Sequence, residues 1–243
     1  MTAASERAFS LPRPSVCVPT TCLSGGIEAF AVADPGASLR VGIFAGIHGD
    51  KPATAIAAAQ LVEDLASDAG LLAGYDITIV PACNPAGLAR GTREAACGRD
   101  LNREFWRDSN APEVRALEGL LVSRHWDGII NLHADDTSAG CYGFVQGWEL
   151  TSGVLEPALA AAARVLPRNL DRSIDNFQAN RGIITRGYPG VLSAPPSQRP
   201  RPFEIVFETP GGAPLMEQAA AHRIAVRTML AAYRELISHA QGI

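Results

Sequence analysis

The feature that most constrains this chain is a series of short apolar runs, rich in β-branched residues and bounded by Gly, Pro or Asn. They are Val41 to Gly46, Ile77 to Pro81, Gly128 to Leu132, Tyr142 to Val145 and Ile205 to Phe207. A strand with one face in water alternates apolar and polar residues, whereas these runs are apolar almost throughout, the pattern of strands buried on both faces. Such a sheet needs helices to cover it. Helix-length segments lie at Pro52 to Ala66, Pro112 to His125, Leu155 to Leu166 and Pro214 to Ala240. Pro near the first turn of three of them costs nothing, because that N–H has no helical partner. The fold class is therefore α/β.

Two further segments have their own character. Before Val41, Gly25-Gly26 and Asp34-Pro35-Gly36 are turn signals that predict a strand pair at a sheet edge. Between Asn169 and Pro202 the chain is rich in Arg, Pro, Ser and Gly, which predicts an irregular stretch, either a lid over a site or a mobile insertion. No internal repeat or linker divides the 243 residues, so residues 1–243 are read as one domain.

Composition excludes several classes. A formal net charge of -4, with no Lys/Arg run and no interleaved aromatics, gives no footprint for nucleic acid. The apolar runs fall far short of the roughly 20 residues of a membrane span. The first ten residues lack a basic segment followed by an apolar one, so no secretory signal is read and the cytoplasm is the expected compartment. The five cysteines are odd in number and widely spaced, which predicts reduced, mostly buried thiols serving as small apolar residues.

Four segments carry chemistry. The run Val41 to Gly46 leads into Ile47-His48-Gly49-Asp50-Lys51-Pro52, placing a His between a buried strand and a helix, where open α/β sheets hold their ligands. The segment Asn84-Pro85-Ala86-Gly87, then Arg90, Arg93 and Gly98-Arg99-Asp100-Leu101-Asn102-Arg103-Glu104-Phe105, reads as a loop suited to gripping a carboxylate with forked hydrogen bonds. A third run ends in His133-Ala134-Asp135-Asp136. In the fourth, Glu208 closes an apolar strand, where a carboxylate is costly unless solvated or used.

In order and content these segments resemble the zinc carboxypeptidase family, over roughly residues 40 to 235, with Asn84 to Phe105 the most specific part. The resemblance implies a three-layer α/β/α fold around a mixed, mostly parallel sheet. It also implies a zinc-dependent hydrolase that cleaves an amide bond next to a free carboxylate, on a peptide or cell-wall peptide. His48 and His133 would be zinc ligands and Glu208 the general base. Arg93 would polarise the scissile carbonyl, Asn102 and Arg103 would hold the terminal carboxylate, and Tyr188 would match a mobile tyrosine that closes over substrate. In size the chain is nearer compact bacterial members such as murein tripeptide amidase than relatives with an added C-terminal β-domain.

One departure stands out. Where the family carries the Glu of H-x-x-E, this sequence has Lys51, which cannot ligate zinc while protonated. Asp50 is the nearest substitute carboxylate and Asp135 a more distant one. The alternatives are a non-catalytic relative that binds a carboxylate-terminated ligand and an acylase acting on N-acyl amino acids.

Overall fold

The computed structural model describes residues 9–241. Ten strands form one mixed sheet. In chain order they are β1 (Thr20–Cys22), β2 (Glu28–Ala33), β3 (Leu39–Phe44), β4 (Tyr75–Val80), β5 (Gly128–Asp135), β6 (Tyr142–Phe144), β7 (Ser173–Ile174), β8 (Phe177–Asn180), β9 (Ile183–Ile184) and β10 (Phe203–Pro210). Across the sheet the order is β1-β2-β4-β3-β5-β10-β6-β9-β8-β7. The centre is parallel: β3 pairs with β4 and with β5, and β5 pairs with β10. Antiparallel pairs occupy the flanks, β1 with β2 and β2 with β4 on one side, β10 with β6 on the other.

The helices are α1 (Pro52–Ser67), α2 (Ala69–Leu72), α3 (Pro85–Arg90), α4 (Pro112–Val122), α5 (Trp148–Leu150), α6 (Glu156–Ala162) and α7 (Leu215–Gln241). They cover both faces. On one, buried alanines of α1 let it lie close to the strands, and Leu61, Val62 and Leu65 pack with Ile43, Ile77 and Ile79 of the sheet and with Ala225, Val226 and Leu230 of α7. On the other, Val114, Leu117 and Leu121 of α4 join Phe44, Leu101, Phe105 and Trp126. Buried strands between two helical layers give the three-layer arrangement that the apolar runs require.

The predicted strand pair at the edge is β1 with β2, turning at Ser24–Gly26. Three expectations need correction. Of the five cysteines only Cys83 and Cys141 are buried, whereas Cys17, Cys22 and Cys97 are exposed. Asn84 to Gly87 is not loop: the Asn84 side chain accepts from Gly87 N at 2.9 Å, capping α3 with Pro85 at its first position. The stretch from Asn169 to Pro202 is irregular only in part, because residues 173–184 form β7, β8 and β9 and extend the sheet through β6. Those strands are two to four residues long, too short for a period to show in sequence.

Among the described residues no helix is long and apolar enough to cross a membrane.

Candidate active site

The carboxyl ends of β3, β5 and β10, three adjacent parallel strands, open on one side of the sheet. In the parallel register His133 of β5 stands beside Glu208 of β10, which faces Tyr142 of β6 on its other side. His48 follows β3 in the turn before α1, and its ring meets that of His133 edge-on, with centroids 5.3 Å apart. Gly49 lets that turn approach α3, since a Cβ there would sit 2.0 Å from the Gly87 carbonyl carbon. These residues line a cleft of about 360 Å³ together with Lys51, Arg93, Asn102, Arg103, Asp135, Asp136, Asp175 and Tyr188.

Asp100, to which the sequence reading gave no role, organises one wall. Its Oδ1 lies 3.0 Å from His48 Nε2 and also accepts from the backbone N of Asn102, while Oδ2 accepts from Arg93 Nε at 3.2 Å and Nη2 at 2.9 Å. A carboxylate on Nε2 favours a proton there and turns Nδ1 into the free acceptor of the imidazole. Burial would raise the Asp100 pKa, but His48 and Arg93 outweigh it and hold the carboxyl well below its usual range. The available signal was its place between Arg99 and Leu101 in the distinctive Gly98 to Phe105 run.

Asn102 is buried, and its Oδ1 accepts from Leu192 N at 2.9 Å, which leaves its amide NH2 for the cleft. That bond also ties the irregular stretch to the site, as does Asn131 Nδ2 donating to Leu192 O at 3.0 Å. Arg103 donates to the carbonyl of Asn102 and lays its guanidinium 4.6 Å from the centre of the Tyr188 ring. Tyr188 packs against Phe177 and donates its hydroxyl to the Asp175 carbonyl at 3.2 Å. Its contacts seat it on the β7–β8 hairpin at the cleft mouth.

Glu208 is enclosed by negative neighbours. Burial and the nearby Asp135 and Asp175 push its pKa up to about 8, against a smaller pull from Arg93 and Lys51. Asp135 is itself engaged, accepting from the Tyr142 hydroxyl at 2.9 Å and from the Thr137 N and Oγ1. Burial, then the charge of His48, drives the His133 pKa well down, so that this imidazole stays neutral.

The model of the succinylglutamate desuccinylase/aspartoacylase catalytic domain matches residues 37–149, the part of the chain that carries His48, Arg93, Arg103 and His133. No curated protein matches the chain. Among solved structures, a metallopeptidase candidate from Shewanella amazonensis superposes with a TM-score of 0.74 at 22% identity, covering 88% of this chain and 86% of the other. Bovine thrombin-activatable fibrinolysis inhibitor gives 0.67 at 17% identity over 91% of both chains. Carboxypeptidase A from Helicoverpa armigera gives 0.64 at 15% identity, over 89% of this chain and 69% of the other. At these identities the likeness to solved structures is one of fold. Over residues 37–149 the chain is thus similar to the succinylglutamate desuccinylase/aspartoacylase catalytic domain, and it shares its fold with metallopeptidase- and carboxypeptidase-like structures.

That resemblance implies a metal. Two imidazoles converge, but the position that should bring a carboxylate brings the Lys51 ammonium. The Asp50 carboxylate does not replace it. Its Oδ2 is held by Lys51 Nζ at 2.8 Å and, although its buried Oδ1 has no partner, the residue is not among those lining the cleft with the two histidines. Asp135 lines the cleft, yet among the described residues no group of three or more His, Cys, Asp and Glu side chains is arranged to hold a metal ion. The residues present do not fit a complete zinc site.

Proposed function

We propose that the cleft recognises a ligand with a free carboxylate next to an amide bond, such as a peptide C-terminus or an N-acyl amino acid. The observation that carries this reading is the placing of Arg103, Arg93 and the Asn102 amide in one cleft with the two histidines. A guanidinium offers a planar fork of donors that matches a carboxylate, and a half-buried site strengthens the pairing. The apolar share of the wall, Phe144, Val191, Val206 and the Tyr188 ring, suits the body of an acyl or amino-acid side chain. Titration calorimetry with hippurate, which is benzoylglycine, tests it: Arg103→Ala should weaken binding at least about 10-fold. Unchanged affinity would remove the assignment.

A second reading, hydrolysis of that amide bond, is favoured by Glu208. This carboxyl, beside His133 and with its pKa pushed up to about 8, suits a general base that takes a proton from water once it is ionised at mildly alkaline pH. Release of glycine from hippurate, followed by chromatography, tests this reading. Turnover by the wild type that is lost in Glu208→Gln supports hydrolysis, and turnover equal in both rejects that role for Glu208.

A further inference from the structure

Lys51 is a surprising residue to find at this place. It is only 9% exposed, it follows His48 by three positions in the turn that opens α1, and it lines the cleft. A lysine is seldom buried without a partner, and here Nζ donates to two carboxylates, Asp50 Oδ2 at 2.8 Å and Asp136 Oδ2 at 2.5 Å. Asp50 comes from the same turn as Lys51 and Asp136 from just beyond the end of β5. Gly211 leaves room for Asp136 there, since a Cβ would sit 2.3 Å from Asp136 Oδ1. The chain therefore does more than lack a third ligand: it carries a cation, with a two-carboxylate cradle to hold it. An ammonium has three donors, and the cradle takes two.

We propose that Lys51 is the resident cation of the cleft in the place of a divalent metal, and that the cleft binds its carboxylate ligand metal-free. The third N–H of Lys51 supplies a fixed donor to a ligand oxygen beside His48 and His133. Asp50 and Asp136 balance the charge and hold it in position, each committing one carboxylate oxygen to the ammonium. A divalent ion entering between the histidines would meet this positive charge at short range, and among the described residues no third His, Cys, Asp or Glu ligand is arranged with them to hold it. The part of the proposal that concerns ligand binding rests on the carboxylate reading above, whereas the part that concerns metal does not.

The test is a calorimetric titration of the full-length protein, purified through a chelator and exchanged into buffer, with zinc chloride alone. Wild type should show no one-to-one zinc site tighter than the micromolar range. Lys51→Glu, which gives the histidines a carboxylate, should bind one zinc about 100-fold or more tightly, and Lys51→Gln, which only removes the charge and frees the cradle, about 10-fold more tightly than wild type. Circular dichroism establishes that each variant is folded, and either folded variant suffices. A submicromolar one-to-one site in wild type, or no gain in a folded variant, overturns the proposal. In a second arm hippurate is titrated into wild type with and without EDTA: equal affinity is expected, and loss with EDTA overturns the proposal. If hippurate binds in neither condition, the carboxylate reading fails and takes with it the ligand-binding part of the proposal, while the zinc titration still decides the metal part.

Discussion

His48 and Arg93 share one carboxylate, with His48 Nε2 3.0 Å from Oδ1 of Asp100 and the Arg93 guanidinium on Oδ2. Asp100 thus fixes an imidazole and an arginine from different segments in one orientation. Asp100→Ala should strand both and lose the bond to the backbone of Asn102 as well, costing about 2–3 kcal/mol in urea unfolding. In wild type the nitrogen NMR spectrum of His48 should show the proton on Nε2, and in the variant a mixture of tautomers. A variant as stable as wild type with an unchanged spectrum would show that Asp100 does not organise the wall.

The turn holding His48 is set by a close approach of backbone to backbone. Gly49→Ala would drive a methyl into the carbonyl of Gly87 at the start of α3, so turn and helix must move apart. The expected cost is about 1–3 kcal/mol, with weaker hippurate binding because His48 and Lys51 shift together. An alanine variant with wild-type stability would mean that the turn relaxes freely.

His222 of α7 sits behind the site, fully buried, with Nε2 3.1 Å from Thr209 Oγ1 and its ring against Phe207. Burial lowers its pKa to about 3. In the unfolded chain it titrates near 6.5, so between those values the unfolded state holds the extra proton and stability falls as pH falls. Between pH 7 and 4.5 this one group should remove on the order of 2–3 kcal/mol. His222→Gln should flatten that part of the pH profile, and an unaltered slope would contradict the buried neutral imidazole.

Glu208 makes the opposite prediction for binding. With its pKa raised to about 8 it is largely neutral at pH 7 and acquires its charge above pH 8, in the cleft meant for an anion. Hippurate affinity of the chelator-treated protein should therefore fall between pH 7 and 9, by about 10-fold, and Glu208→Gln should abolish the fall. A flat profile in wild type would place the titration elsewhere.

Much of this was legible in the sequence because it rests on continuous local signals. Apolar runs such as Gly128 to Leu132 mark strands buried on both faces, and α1 announces itself by Pro52 and its alanines. The order His48, Arg93, Asn102, Arg103, His133, Glu208 named residues that the fold brings to one cleft. What sequence could not give were relations across the fold. The pairing of Lys51 with Asp136 spans 85 residues, and the grip of Asn102 on Leu192 spans 90. Strands β7 and β9 have two residues each and exist because neighbouring strands offer an edge, β6 to β9 and β8 to β7, not because of their own propensity.

The most direct test of the account is a comparison of hippurate with hippuramide, in which the carboxylate is replaced by an uncharged amide of nearly the same shape. Calorimetric titration into wild type should show hippurate binding at least about 10-fold more tightly, and Arg103→Ala should erase most of that difference by weakening hippurate alone. Equal affinity for the two ligands in wild type would contradict the claim that this cleft reads a free carboxylate.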